Sequence, residues 1–288
     1  MVGYGAGTAP DFAARTVARK LQEKWTAGVV VDNRAGGGGT LAVANVLNAP
    51  PDGLTLLWGT VGEMAIAPAI NRKLSVDPGK LRPIIDVTYG EMALVVNPGT
   101  PVTNVRDFLS WAKDKKPVMV GTFGPGSPHH LFALMFGSAT GLPIECVHYK
   151  GAQEFASDLR AGLIHAGFAS IVQARTWQGS NSVKIAGIAG TEPSRLFPDI
   201  QTFKQAGLEK ALFPLWSGLF GPPGLPDAIA SQVHAAAAAV LNCPEVDSAF
   251  KEVGNRLYHN AYGTFEARVQ QDRARFVQLT SVYKLAID

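Results

Sequence analysis

The sequence has 288 residues, which is about two domains of ordinary size. Hydrophobic residues make up 47% of it and charged residues 17%, so a disordered chain is excluded and large cores are possible. With 26 Lys and Arg against 23 Asp and Glu, the chain lacks the strongly basic balance typical of nucleic-acid binding, and we expect no nucleic-acid partner. No apolar run approaches the ~20 residues that a membrane-spanning helix needs.

The N-terminal region alternates helical patterns with short apolar runs. Apolar residues at helical spacing predict helices over residues 11–25 and 40–47, with Asp11 as the N-cap of the first. The apolar runs at residues 29–31 and 54–58 are typical of short buried strands. This alternation predicts an α/β fold in which helices cover both faces of a parallel sheet.

The same alternation continues along the rest of the chain. Strands are predicted at residues 84–89, 92–96, 118–122, 145–149, 163–169, 183–189 and 215–220. Apolar stripes that contain Phe108, Leu131 and Val233 predict helices, and a long amphipathic helix is predicted over residues 264–286. The C-terminal part is therefore expected to be mainly helical.

Two segments rich in Pro and Gly, at residues 97–101 and 221–226, interrupt the pattern after strands. They indicate that the central part of the chain is an inserted second domain. We therefore expect a discontinuous lobe 1, formed by residues 1–97 and 219–288, and a lobe 2, formed by residues 98–218. A two-strand hinge would join the lobes around a cleft, which is a favoured place for a ligand.

Four loops rich in Gly, Ser or Thr follow predicted strands or the chain start and precede predicted helices. They span residues 5–11, 59–62, 122–127 and 149–151. Each offers backbone N–H groups at the positive end of a helix dipole, and small residues let a ligand approach the backbone closely. Because all four loops lie just before a predicted helix, we predict that they form an anion-binding site.

A nicotinamide-dependent enzyme is an alternative, because a Gly-rich turn, a helix, a Val run and Asp32 resemble a dinucleotide fingerprint. However, the glycines at positions 3, 5 and 7 have the spacing G-x-G-x-G, and Pro10 removes an amide donor. Asp11 would also place a carboxylate where a pyrophosphate should lie. A P-loop is excluded because no Gly-Lys-Ser/Thr follows any Gly run.

A hydrolase that uses Ser127 is a second alternative, but the chain has no Gly-x-Ser-x-Gly elbow, and a proline follows this serine where an oxyanion-hole amide is needed. His129 and His130 are adjacent and diverge on a helix, so they cannot chelate one metal together. Paired carboxylates are scarce, since the loops supply only Asp11 and Glu63. We therefore expect no catalytic centre, no cofactor and no bound metal.

Cys146 and Cys243 leave two possibilities open, buried thiols or a single disulfide, and buried thiols are the simpler prediction. No signal peptide is recognisable, because a Gly-rich loop follows Met1 almost at once. A parallel-sheet protein normally has a whole strand before such a loop. Either the first strand is nearly absent here, or the chain is a processed or trimmed product.

Six short motifs occur in order along essentially the whole chain. They are Y-G-A-G-T-A-P-D at residues 4–11, V-V-V-D-N-R-A-G-G-G-G at 29–39, P-D-G-L-T-L-L at 51–57, T-F-G-P-G-S-P-H-H-L at 122–131, H-Y-K-G at 148–151 and F-P-D-I-Q-T at 197–202. Each is weak alone, but the ordered set resembles the substrate-binding receptors of tripartite tricarboxylate transporters, also called Bug receptors. One departure is Phe168-Ala-Ser170, where that family usually has Phe-Asp-Asn.

The resemblance implies a type II periplasmic-binding-protein fold, with two α/β lobes around a cleft and a two-strand hinge. It also implies a monomeric solute receptor instead of an enzyme, exported to the periplasm with its signal peptide removed. Such receptors deliver their ligand to the membrane permease subunits of the transporter or, in some relatives, to a signalling partner. Family ligands are mostly small organic carboxylates, including di- and tricarboxylates, acidic amino acids and aromatic acids, held largely by amides, hydroxyls and bridging waters.

On this interpretation the loops supply the ligand-binding residues. The groups expected to donate to a carboxylate are Gly7, Thr8, Thr60, Gly62, Gly126 and Ser127. Tyr4 and Phe123 are expected to wall the apolar part of the ligand or, alternatively, to pack in the core. Ser170 or His129 is expected to reach the far end of the ligand. Asp11 is expected to cap a helix and order its loop, without contacting the ligand.

Overall fold

The computed structural model describes residues 1–25, 27–71, 73–125, 127–213 and 215–283. Its helices are α1 (Ala9–Trp25), α2 (Thr40–Leu47), α3 (Ala67–Ile70), α4 (Val105–Ala112), α5 (Pro128–Thr140), α6 (Ala152–Ala161), α7 (Ile171–Gly179), α8 (Asp227–Leu241), α9 (Pro244–Glu252) and α10 (Thr264–Tyr283). Its strands are β1 (Leu57–Thr60), β2 (Arg82–Gly90), β3 (Met92–Val96), β4 (Val118–Thr122), β5 (Ile144–His148), β6 (Ala166–Ser170), β7 (Lys184–Ala189), β8 (Leu215–Gly221) and β9 (Arg256–Leu257). Shorter turns are the 3-10 turns Gly37–Gly39, Pro78–Lys80 and Glu209–Ala211 and the π-helical turn Gly62–Ile66.

The chain divides into two compact units, each with its own sheet. Unit 1 contains residues 1–89 and 215–252 and the described residues from 256 onward, and unit 2 contains residues 90–214 and 253–255. The strand β3 belongs to the sheet of unit 2. The lobe boundaries expected from the sequence, at residues 97 and 219, stay a prediction.

The sheet of unit 1 has the strand order β1-β8-β2-β9. β1 is antiparallel to β8, with Leu57 opposite Phe220, and β2 is antiparallel to β9, with Thr88 opposite Leu257. The expected α/β class is confirmed, but the expected parallel pairing is wrong for these strands. Strand direction depends on which distant segments meet, and short apolar runs do not encode that.

Strand β8 and helix α10 are joined by aromatic packing and a buried hydrogen bond in unit 1. Trp216 is buried, and its ring lies edge-on to Phe265, with the ring centroids 5.3 Å apart. Its Nε1 donates to Oδ2 of the buried Asp272 at 2.7 Å. The polar atom of this large side chain is therefore satisfied inside the core, as buried indole groups require.

The sheet of unit 2 is mixed, with the strand order β5-β4-β6-β3-β7. β4 runs parallel to β5 and β6, whereas β3 runs antiparallel to β6 and β7. Because β3 is paired on both sides, all five of its residues are buried. The expected parallel sheet is therefore only partly realised in this unit.

Two facing glycines in unit 2 make room for one aromatic ring. Gly121 of β4 lies opposite Gly167 of β6, and a β-carbon on either would lie 2.5 Å or less from the ring of Phe155. Phe155 is fully buried and stacks on Trp177, with ring centroids 5.1 Å apart. The absence of side chains at these two strand positions thus fixes how α6 packs on the sheet.

The strand predicted at residues 29–31 does not form. Val30 is 84% exposed, and the nearby pairing is an isolated parallel bridge between Val2 and Asn33. Because this pairing involves a single residue on each side, the apolar run has no strand of matching length beside it. The strand predicted at 54–58 is also displaced, because Leu54 is 87% exposed and β1 begins at Leu57.

Several predicted elements are confirmed. α2, β3 and β4 have the predicted bounds. α10 begins at the predicted residue Thr264, and the predicted residues 284–286 lie outside the described residues. Within the described ranges, no helix combines the length and the apolar character that crossing a bilayer requires.

The packing of Phe155 against Gly121 and Gly167 leads to a testable prediction. Gly167→Ala should lower the free energy of unfolding by about 1–3 kcal/mol, because the new β-carbon overlaps the Phe155 ring. Gly179→Ala is the matched control, since Gly179 ends α7 with no atom within 4 Å of an added β-carbon, and we expect a change within about 0.5 kcal/mol. Denaturant unfolding followed by circular dichroism measures both, and equal effects would contradict the packing argument.

Candidate functional site

The N-terminal loop of unit 1 is tied to helix α1 by a buried carboxylate. Asp11 Oδ2 accepts from the amide of Gly7 at 2.9 Å, and Oδ1 accepts from Asn33 Nδ2 at 2.8 Å and from Arg15 Nε at 2.9 Å. α1 begins at Ala9, so Asp11 lies in its first turn. The predicted N-cap position is therefore wrong, because the helix starts two residues earlier, but the side chain does order the loop.

The same hydrogen bonds determine the charge of Asp11. Burial raises the pKa of a carboxyl group, but the hydrogen bonds from Arg15, the Gly7 amide and Asn33 outweigh it, so the pKa of Asp11 is lowered. Asp11 is therefore ionised at neutral pH. Its negative charge is balanced by Arg15, and its Oδ2 accepts the hydrogen bond from the Gly7 amide. The Gly7 amide is therefore already used within the loop.

A second cluster in unit 1 joins the loop to the end of β1. The Tyr4 hydroxyl lies 3.2 Å from Thr60 Oγ1 and donates to Glu63 Oε2 at 2.7 Å. Thr60 donates through its amide to Glu63 Oε1 at 2.8 Å and through its hydroxyl to Oε2. The Gly62 amide donates to Thr60 Oγ1 at 3.1 Å. We call these residues, Tyr4, Thr60, Gly62 and Glu63, the hydroxyl cluster.

Glu63 gives the hydroxyl cluster its electrostatic character. It is fully buried in the π-helical turn that follows β1. Burial raises the pKa of Glu63, and the hydrogen bonds from Thr60 and Tyr4 offset this only in part. Burial and the neighbouring Glu63 also raise the pKa of Tyr4, so its phenol is protonated at neutral pH.

Thr8, a further predicted donor, is held within the N-terminal loop. Its hydroxyl donates to the carbonyl of Gly5 at 2.7 Å, and its own carbonyl accepts the amide of Phe12 in the first turn of α1. Gly7 in the same loop has a φ of +80°, a conformation that favours glycine. The loop is thus shaped by local bonds and by its glycines.

In unit 2, two predicted binding serines act as helix caps. Ser127 Oγ accepts the amide of His130 at the start of α5 and donates to the carbonyl of Gly124. Ser170 Oγ accepts the amide of Gln173 at the start of α7. Gly126, another predicted donor, lies outside the described residues. These caps place both hydroxyls at helix N-termini, where local amides already use them.

Phe123 and His129 form an aromatic contact in unit 2. Their ring centroids are 4.7 Å apart in an edge-on arrangement, and Phe123 also lies 5.3 Å from Phe155. His129 Nδ1 is buried without a hydrogen-bond partner among the described residues. Burial lowers the pKa of His129 to about 4, so the imidazole is neutral at neutral pH.

Unit 2 contains a further polar cluster, formed by Thr122, His130 and His148, that the sequence did not predict. Thr122 Oγ1 lies 2.5 Å from His148 Nδ1, and the His148 ring lies edge-on to His130, with centroids 4.9 Å apart. Burial, followed by the neighbouring His148, lowers the pKa of His130 to about 4. Both histidines occur in the sequence motifs at residues 122–131 and 148–151. The parallel pairing of β4 and β5 places Thr122 opposite His148, and His130 lies in the first turn of α5.

The structure therefore assembles the predicted residues as two separate sets. Tyr4, Thr60 and Gly62 meet in unit 1, with Gly7 and Thr8 in the adjoining loop. Unit 2 contains Phe123, Ser127, His129 and Ser170. Cys146 and Cys243 are free thiols. Within the described part of the chain, no group of three or more His, Cys, Asp or Glu side chains is arranged to hold a metal ion.

Solved structures define the class of protein to which this fold belongs. MatC from Rhodopseudomonas palustris, solved with bound malate, is 26% identical with a TM-score of 0.77, covering 96% of this chain and 97% of MatC. A second R. palustris protein, solved with adipate, is 25% identical with a TM-score of 0.83, covering 99% and 96%. The periplasmic binding protein BugD shares the fold at 23% identity, with a TM-score of 0.79 over 99% and 96% of the two chains. These likenesses confirm the predicted type II periplasmic-binding-protein fold.

Sequence comparison then identifies the family. The model of the tripartite tricarboxylate transporter family receptor, TctC, matches residues 13–284, and the chain belongs to this family of solute-binding receptors. A UPF0065 protein of Bordetella pertussis is 28% identical over 279 residues, which is 96% of this chain and 84% of that protein. BugT of the same organism is 27% identical over 231 residues, or 78% and 70% of the two chains. The family resemblance seen in the sequence motifs is thus confirmed.

The hydrogen bonds of the buried Asp11 predict how the free energy of unfolding depends on pH. Asp11→Asn should lower the free energy of unfolding at pH 7 by about 1–3 kcal/mol, because charge-assisted hydrogen bonds from Arg15 and Gly7 are lost. The folded pKa is lowered, so this stabilisation is present above the unfolded pKa of ~3.9 and is lost as the pH falls through the folded pKa. Thermal and denaturant unfolding from pH 7 downward measure the difference from wild type.

Asp32→Asn is the control for this prediction. Asp32 pairs with Arg34 at 2.9 Å, but both side chains are exposed, and we expect an effect below about 1 kcal/mol at pH 7. Equal losses in the two variants, or a loss in Asp11→Asn that persists at the lowest pH, would contradict the assigned role of Asp11.

Proposed function

We propose that this chain is a periplasmic receptor that captures a small organic carboxylate for a tripartite tricarboxylate transporter. The observation that carries the proposal is the full-length structural likeness to two receptors solved with dicarboxylates, malate and adipate. The ligand classes are di- and tricarboxylates, acidic amino acids and aromatic acids. On this proposal the receptor acts as a monomer and delivers the acid to the membrane permease subunits. Membership of the transporter receptor family supports the delivery step.

The hydroxyl cluster of unit 1 supports a carboxylate ligand through neutral donors. Tyr4 and Thr60 supply hydroxyls that donate to Glu63 in this structure, and the Gly62 amide donates to Thr60; a ligand would take the place of Glu63 as the acceptor of a hydroxyl hydrogen. The nearby cation Arg15 is engaged with Asp11 and Asn33. A carboxylate would therefore be held by hydrogen bonds, with bridging water where the distance requires it, and without a direct ion pair.

Unit 2 supports the proposal through the loop that precedes α5. Ser127 caps a helix of 13 residues, so the positive end of the helix dipole lies at this loop. The neutral His129 and the Phe123 ring add an apolar surface beside that loop. The surface of Phe123 and His129 suits the hydrocarbon part of an organic acid. The carboxylate oxygen atoms of the acid would then be directed at the loop.

Ligand-dependent melting tests the proposal. Malate, adipate, citrate, glutamate and benzoate, each in excess, are compared with NAD and NADP. An acid present at a hundredfold excess over its Kd should raise the melting temperature by roughly 5 °C or more, because it binds only the native state. If none of the five acids raises the melting temperature, or if NAD alone does, the receptor proposal is wrong and an enzyme is favoured.

A matched pair of cap variants tests the contribution of unit 2. Ser127→Ala should weaken binding of the best acid of the panel about five- to tenfold, because the loop loses both its serine hydroxyl and its order. Asn104→Ala removes the N-cap of α4, which lies outside the proposed site. Both variants should lose about 1 kcal/mol of stability, but only Ser127→Ala should lose affinity. Titration calorimetry measures the affinities, and equal affinities would exclude this loop from the site.

A further inference from the structure

Glu63 has a position that the proposed carboxylate site does not by itself explain. A receptor for anions gains nothing from a buried negative charge beside its donors, yet the Glu63 carboxyl contacts two of them, Tyr4 and Thr60. The side chain is fully buried, and among the described residues its carboxyl group makes no ion pair. A buried carboxylate without a cation is costly, so the neutral acid is the less costly form.

The hydrogen atoms of the cluster determine what it offers to a ligand when Glu63 is ionised. In that state both hydroxyl hydrogens, from Tyr4 and from Thr60, are directed at Glu63 Oε2, and the Thr60 amide is directed at Oε1. The Gly62 amide is directed at Thr60 Oγ1. All of these donors are therefore used inside the cluster, and an incoming carboxylate meets acceptors and a negative charge.

Protonation of Glu63 changes this arrangement. One more hydrogen then enters the cluster, and the carboxylic acid becomes a donor as well as an acceptor. The acid hydrogen can be directed at Thr60 Oγ1 or at the Tyr4 oxygen, both within hydrogen-bond distance of Oε2. A hydroxyl that now accepts from Glu63 is free to turn its own hydrogen toward a ligand, because hydroxyl hydrogens rotate easily.

We propose that Glu63 is a positioning residue that couples capture of a carboxylate anion to the uptake of one proton. The inference rests on the proposed function, and it adds a second species, a proton, to what the receptor binds. The charges balance: the ligand brings a negative charge, the proton neutralises Glu63, and the net charge of the cluster does not change on binding. Tyr4 and Thr60 remain the groups that touch the ligand.

The elements packed around Glu63 determine which other groups could take up this proton. The π-helical turn packs against β1, α3, α10 and the 3-10 turns Gly37–Gly39 and Pro78–Lys80. β1, α3 and the Gly turn contain no titratable side chain, and the last turn contains Lys80. The charged residues of α10 are Glu266, Arg268, Asp272, Arg273 and Arg275.

Three of the α10 residues have partners elsewhere in unit 1. Asp272 accepts from the Trp216 indole, as described above. Arg268 lies 3.4 Å from Asp86 Oδ2, and Arg273 lies 3.2 Å from Asp77 Oδ1. The described titratable group in contact with Glu63 is Tyr4, whose pKa is raised by burial, so it stays protonated while Glu63 titrates.

The decisive experiment is titration calorimetry of the wild-type protein with the acids of the melting panel, at several pH values from 6 to 9. Each pH is measured in two buffers with different ionisation enthalpies, which gives the number of protons taken up. Malate, adipate and benzoate keep their carboxyl groups ionised above about pH 7, so an uptake measured with these acids in that range reports on the protein. Above the folded pKa of Glu63 we expect one proton per ligand and an affinity that falls about tenfold per pH unit.

Glu63→Gln isolates the residue. The amide keeps two hydrogens where the protonated acid has one, so the hydroxyls remain available to the ligand. We expect this variant to bind the same acids with no proton uptake and with an affinity that is constant from pH 6 to 9. Wherever the wild-type affinity falls with rising pH, the affinity of this variant should therefore exceed that of wild type.

Asp272→Asn is the matched control, because Asp272 is another buried acid of unit 1 whose pKa is raised, chiefly by burial. It should keep the wild-type proton uptake. Binding of an acid by wild type without proton uptake, or a Glu63→Gln variant that keeps the pH dependence, would overturn the role of Glu63 and leave the receptor function standing. Failure of every acid to bind at any pH would overturn both. If Glu63→Gln does not fold, the wild-type proton count still decides.

Discussion

The buried side chain of Asp11 is the interaction on which the N-terminal loop of unit 1 depends. Its two oxygens accept hydrogen bonds from the Gly7 amide, from Asn33 and from Arg15, which are three separate places in the chain. Glycines bring large conformational freedom and no packing, so such a loop needs polar bonds to define its path. Asn33 also donates to the carbonyl of Tyr4 at 3.0 Å. The position of the Tyr4 phenol beside β1 therefore depends on the same carboxylate.

Unit 1 contains two buried acids near this loop, and their environments have opposite effects. Asp11 has a guanidinium group and two amide donors, so its pKa is lowered and its charge is permanent at neutral pH. Glu63 has hydroxyl and backbone donors without a cation among the described residues, so its pKa is raised and its charge depends on conditions. One carboxylate serves as a fixed anchor, and the other can respond to pH or to a ligand. The difference follows from Arg15, acting with the Gly7 amide and Asn33, at Asp11 and from burial that outweighs the hydrogen bonds at Glu63.

The sequence was sufficient for the parts of the fold that depend on local pattern. The apolar stripes of α2 and the short runs of β3 and β4 predicted their bounds, because helix and strand periodicity is a local property. The run at residues 29–31 has the same apolar character but lacks a strand of matching length, and pairing partners are set by tertiary structure. The local use of the Ser127 and Thr60 hydroxyls was also invisible, since it depends on the positions of Gly124 and Glu63 in space. Glu63, which the sequence analysis named as one of two acids in the loops, is also a lone acid within the apolar segment at residues 61–67, and this pattern indicates burial.

The facing glycines of unit 2 also constrain which substitutions this sequence can accept. A side chain at Gly121 or Gly167 collides with the ring of Phe155, whereas a smaller residue at 155 would leave a void beside Trp177. Neither the glycines nor Phe155 can be substituted first without a loss of stability. Replacement of Gly121, Gly167 and Phe155 must therefore pass through a less stable intermediate sequence, or occur in a protein stable enough to tolerate the loss.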